Sequence, residues 1–291
     1  MTLHKLTIHP TSPFGTPLKG DTLFGQLCWS IRYCYGEDRL QSLLQDYAHT
    51  PFAVVSDAFN MGYLPKPKLP DTMLHSNGDK KANRKKVWMS LEALQNGAYS
   101  EAKTARETGE DISVSTMHNA INYRTFTTDD KGFAPYGSHE TLLCDKDIYL
   151  LLDDERIRPD EIRHAFTFMG EHGYGRDATI GKGRFEISSF ELIVIDYVSD
   201  TLMALSPFFP DKMECKALYY EPFTRFGKKG SSRAHENPFK KPLLLCDTAG
   251  IVQLNQPSTL TYIGKGITRF STHEDIVHQG YAIAIPIKEI G

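Results

Sequence analysis

Apolar and polar side chains alternate from Leu3 to His9 (LHKLTIH), the period of a strand with one buried face. A turn-rich link, HPTSPFGTPLKG, separates this strand from a helical pattern running from Asp21 to about Tyr35. Phe24, Leu27, Cys28 and Ile31 share one face of that helix, Asp21 is placed to cap its start, and Gly36 is placed to stop it. Residues 52–59 (FAVVSDAF) read as an apolar strand, and the proline-rich MGYLPKPKLP that follows reads as extended chain. From about 71 to 136 the periodicity weakens. VWMSLEALQNG has room for a short helix, and the remainder reads as insertion or binding loop. The pattern sharpens again at 147–152 (DIYLLL), a strand. Pro159 then opens a helix with Ile162, Phe166 and Met169 on one face, ending near 170–173. RFEISSFELIVI (184–195) is one bent strand or a strand pair.

The resulting order, β–α–β–β–α–loop–β over 1–198, predicts an α+β chain whose first domain is ferredoxin-like (RRM-type). Residues 199–291 form a second, β-rich unit, with LTYIGKGI and YAIAIPIKEI as its clearest strands. Two compact units suit a chain of 291 residues.

Composition narrows the class. The hydrophobic fraction of 40% and charged fraction of 24% are those of an ordinary globular protein. No apolar run reaches the roughly 18 residues needed to cross a bilayer. MTLHKLTIHP lacks the apolar stretch of a secretory signal. The five cysteines (Cys28, Cys34, Cys144, Cys215, Cys246) form no CxxC pair, which argues against a zinc ribbon or disulfide framework and for a reduced, cytoplasmic protein. The net charge of −3 counts against a free-standing nucleic-acid binder, but the charge is uneven. KKANRKK (80–86) holds five cations and no acid, and 225–241 is also basic, whereas 107–111 and 153–155 are acidic.

The strongest candidate chemistry lies in HGYGRDATIGKGRF (172–185). Gly173, Gly175, Gly181 and Gly183 are interleaved with Arg176, Thr179, Lys182 and Arg184. Cations beside exposed backbone N–H groups make a seat for phosphate, so the loop suits a nucleic-acid backbone. The plainer alternative is a tight helix-to-strand turn. A phosphate-binding P-loop is excluded because Gly183 stands where Ser or Thr is required, and a dinucleotide fingerprint because Ala178 replaces its third glycine. A second cluster, His118, Asn119 and Arg124, precedes GFAPY (132–136). These residues suit base stacking and phosphate contact, general-base catalysis by His118, or a structural loop clamp. The run 80–86 reads as a solvated face or a phosphate track. Arg225, Lys228 and Arg233 sit in a basic loop that either orders on a partner or stays exposed. His273 and His278 resemble a zinc HExxH helix, but a spacing of five residues puts the two rings on different faces, so no metal is expected.

The helix–GYGRDATIGKGRF–strand unit resembles the glycine-rich loop of the RAMP superfamily of CRISPR proteins. GDTLFGQLCWSIRY, AFNMGYLPKPKLP, MHNAINYRT, GFAPY, FGKKGSSRAHENPFKKPLLL and GKGITRF are similar, in order, to the family of fourth subunits of type III-A (Csm) effectors, in the Cas-five group. That resemblance implies two ferredoxin-like domains, no cofactor and no catalytic role. It implies a subunit that holds the 5′ repeat-derived tag of a crRNA between the large Palm-domain Cas subunit and the backbone filament. It assigns RNA contact to residues 173–184 and, less directly, to His118, Asn119 and Arg124. Asp177 and Ile180 depart from the basic or small polar residues usual in such a loop. Other RAMP proteins cleave RNA, so a metal-independent endoribonuclease that matures crRNA is the competing expectation.

Overall fold

A computed structural model describes residues 1–74, 79–128, 134–210, 213–227, 240–268 and 276–289. In the first unit the strands are β1 (Thr2–Pro10), β2 (Ala53–Asn60), β3 (Ile112–His118), β4 (Tyr136–Leu142), β5 (Lys146–Leu152) and β6 (Phe185–Ile193). Its main helices are α1 (Gly20–Tyr35), α2 (Glu37–Leu44) and α3 (Pro159–His172). Four strands form an antiparallel sheet in the order β2–β5–β1–β6, while β3 and β4 form a separate two-stranded ribbon. The expected β–α–β–β–α–β succession is therefore present, with an insertion between β2 and β5.

Helical periodicity explains how the layers meet. α1 buries Leu23, Phe24, Leu27 and Ile31, and α3 buries Ile162, Ala165, Phe166 and Met169. The two helices pack on each other, α1 on β2 and α3 on β6. Leu6, Ile8, Ile148 and Leu150 complete the core at 0% exposure, and each such side chain contributes about 1.5–3 kcal/mol by leaving water. One expectation is corrected. Asp21 does not cap α1. Lys19 is the N-cap residue, and Asp57 of β2 accepts the Gly20 N–H at 2.7 Å instead. Asp21 lies inside the first turn, where Arg225 holds its carboxylate.

The insertion is more structured than its weak periodicity suggested. Leu64–Pro65, Lys86–Met89 and Lys103–Thr104 make a small sheet, and Leu91–Asn96 is a helix capped by the Ser90 hydroxyl. Residues 185–193 are one strand with a bulge opposite Thr7 and Ile8, not a pair.

The second unit is an antiparallel sheet of β7 (Ser199–Ala204), β8 (Ala217–Tyr219), β9 (Ile251–Ser258), β10 (Tyr262–Gly264) and β11 (Tyr281–Pro286), ordered β8–β9–β7–β11–β10. Among the described residues after 198 there is no helix, so the helical layer expected of a second ferredoxin-like domain is missing there. The division near 198 separates sheets but not cores. Met203, Leu205, Ile283 and Ile285 join the apolar cluster of the first unit. The Gln279 amide also bonds both the N–H and the C=O of Val55, at 2.8 and 2.7 Å, acting as a neighbouring strand would. The five cysteines are free thiols. No described helix is long and apolar enough to cross a membrane.

Candidate nucleic-acid interface

The glycine-rich loop joins α3 to β6 and is closed at its neck. Tyr174 N–H donates to Gly183 O at 2.9 Å, and Gly183 N–H donates to Pro13 O at 2.8 Å. Only glycine fits at 183, because its φ is +72° and a Cβ there would lie 2.1 Å from Tyr174 O. Tyr174 is fully buried and anchors the loop, its hydroxyl donating to Pro17 O at 2.9 Å. Burial pushes that phenol well above its ordinary pKa. Two side chains of the turn-rich link complete the seat: Thr16 Oγ1 accepts from Arg176 N–H at 2.9 Å and Ser12 Oγ from Arg184 N–H at 2.8 Å. The crown is a short 3₁₀ turn, Ala178–Ile180, with Thr179 and Ile180 exposed.

The β3–β4 ribbon meets this loop, which links His118 of the second cluster to the loop cations through Ser138 and Glu140. Arg176 donates to His139 O at 2.6 Å, and Lys182 is ion-paired with Glu140. The Ser138 hydroxyl donates to Glu140 Oε1 at 2.9 Å and lies 2.9 Å from His118 Nε2. The His118 ring stacks on Tyr136 with centroids 5.4 Å apart. Asp177 adds contacts of 3.3 Å to Arg176 and 3.6 Å to Lys182. The bonds from Lys182 and Ser138 hold the Glu140 carboxyl below its ordinary pKa. Arg124 and Arg184 differ from these cations: both are exposed, and neither guanidinium has a partner among the described residues. Asn119, directly after His118, is also exposed. Beyond β3 the ribbon carries Tyr123 and Phe126, 88% and 79% exposed, on a turn shaped by Asn122 Oδ1 accepting from Arg124 N–H at 3.0 Å.

No family model and no curated protein matches the chain. Solved structures do. The chain is similar over its whole length, and over 99% of the other chain, to a component of a Csm1–Csm4 cassette in complex with pppApA (18% identity, TM-score 0.63). The same cassette in complex with cA4 matches with 17% identity, a TM-score of 0.64 and the same coverage. A Csm3–Csm4 subcomplex of the type III-A CRISPR-Cas interference complex matches 96% of this chain and 99% of the other (14% identity, TM-score 0.58). Csm4 is the component common to these complexes. The chain shares its fold with a component of these Csm complexes.

The remaining sequence candidates fall elsewhere in the fold. Arg225 does not reach out from a basic loop; it pairs with Asp21 of α1 and lies 4.9 Å from the Phe223 ring. His278 stands 3.5 Å from the same Asp21, and burial pulls its pKa down to about 4. These residues join the two units. Lys228, Arg233 and His273 lie outside the described residues. The basic run forms a short exposed helix, Lys80–Arg84, in the insertion. No group of three or more His, Cys, Asp or Glu residues suited to a metal occurs among the described residues. Sequence reasoning missed Tyr174, Thr16 and, above all, Glu140. The one available signal for Tyr174 was an aromatic residue flanked by Gly173 and Gly175, whereas nothing local marked Glu140.

Proposed function

We propose that this chain is a non-catalytic subunit of a type III CRISPR effector, holding the 5′ repeat-derived tag of the crRNA and bridging the large Palm-domain subunit to the backbone filament. The fold likeness supports the setting, since Csm4 is paired with Csm1 in one set of neighbours and with Csm3 in another. The observation that carries the reading is the convergence of the glycine loop and the ribbon. Two unpartnered arginines, a stacked His118 and two exposed rings lie on these adjoining elements. A splayed single strand is held by such a mixture: cations for phosphates, and flat faces for bases. One local groove suffices, which accords with a net charge of −3. The bond to Ser138 and the stacking on Tyr136 hold the His118 ring in place, which suits stacking on a base.

The test is retention of crRNA by the assembled complex. Arg124→Ala with Arg184→Ala is expected to weaken binding of a labelled tag RNA roughly 10- to 100-fold at moderate salt, with unchanged thermal unfolding. Undiminished occupancy would refute the assignment. Incubating the isolated protein with repeat RNA in chelator tests the nuclease alternative, which specific cleavage abolished by His118→Ala would favour.

A further inference from the structure

Two of the three loop cations expected to grip RNA, Arg176 and Lys182, are already engaged by the protein itself. Lys182 is largely withdrawn from solvent, its side chain only 12% exposed, and is held by Glu140, whose own side chain is 7% exposed. Glu140 is not a passing surface partner. It stands in β4 opposite Val114, and Ser138 Oγ fixes the same carboxylate oxygen that receives Lys182. Arg176 donates to the next carbonyl along β4, that of His139. Asp177, inside the loop, supplies the second oxygen near both cations. An anion bound between a cationic glycine loop and a strand is what an RNA phosphate would be, and here a carboxylate fills that position.

From this geometry, and resting on the RNA-binding reading above, we infer that Glu140 occupies the seat of one RNA phosphate. RNA entry then exchanges the Lys182–Glu140 ion pair for a Lys182–phosphate pair. The exchange has two consequences. Lys182 contributes less to affinity than a free cation, because binding breaks one charge pair to make another. Glu140, displaced, faces the incoming phosphate as a like charge, so weakly placed anions are rejected and only a strand anchored elsewhere, at Arg124 and Arg184, displaces it. Exposed cations thus start binding, and the covered one commits the strand.

The experiment is a salt titration of tag-RNA binding by four full-length proteins: unchanged, Glu140→Gln, Lys182→Gln and the double variant. Glu140→Gln keeps the shape and the Ser138 bond but removes the competing charge. It is expected to bind about tenfold tighter at low salt, with a log–log salt slope steeper by about 0.7, one extra phosphate neutralised. Lys182→Gln is expected to leave the slope of the unchanged protein nearly as it is, because there one charge pair only replaces another, and to erase the gain in the double variant. If Glu140→Gln binds equally or more weakly, Glu140 merely orients Lys182 and the inference is overturned. A gain in affinity and slope that survives Lys182→Gln in the double variant overturns it independently. Failure of the unchanged protein to bind tag RNA at any salt instead removes the RNA-binding reading, and the exchange with it.

Discussion

Strands β5 and β3 are both seven residues long and belong to the same unit, yet their fates are opposite. In β5 (KDIYLLL) six residues are buried and the seventh is half-buried, because both faces of the strand are covered. In β3 (ISVSTMH) six are exposed, including Ile112, Val114 and Met117. A two-stranded ribbon with no core of its own is marginal in water. This one is tied down at its root: Phe14 pairs with Thr141, and Asp111 accepts from the buried Lys146 at 2.7 Å. Apolar side chains in β5 therefore hold the fold together, whereas those of the ribbon have no folding task. Their exposure makes sense as contact surface for a partner.

The contrast can be broken at its strongest point first. Phe24→Ala in α1 empties space between Tyr47 and Phe52, whose rings lie 4.7 and 5.8 Å away. It should cost about 3–5 kcal/mol, read as a large drop in the midpoint of chemical unfolding. A midpoint within error of the unchanged protein would show the core to be elsewhere.

Next in size is the loop neck. Gly183→Ala forces a side chain against Tyr174 backbone at a positive φ, whereas an added Cβ at Gly181, φ +93°, meets open space. Gly181→Ala should therefore cost only the backbone strain of about 1–2 kcal/mol. Gly183→Ala should cost at least twice as much and abolish tag-RNA binding as the neck opens. Equal unfolding midpoints would mean that the neck does not constrain the loop.

The smallest effect on stability should come from the ribbon tip. Tyr123→Ala with Phe126→Ala should shift stability by no more than about 0.5 kcal/mol while removing stacking worth about 1–3 kcal/mol per base from RNA affinity. A clear fall in melting temperature would place those rings in the fold, and unchanged affinity would direct them to a protein partner.

Local pattern alone determined much of this protein. The periods of β1, α1, β5 and α3 were written in runs of seven to sixteen residues, because a face that must be buried repeats at the pitch of its element. The glycine–cation loop was equally visible, since its backbone turns and its charge both come from residues in one stretch. The ribbon was not, because burial of apolar side chains creates alternation and neither of its faces buries one. Tertiary structure alone decided which cations stay available. Lys182 meets Glu140 across 42 residues of sequence, and Arg225 meets Asp21 across 204. Such pairings depend on strand register and on where the chain returns, and a charge at one position carries no mark of the opposite charge it will face.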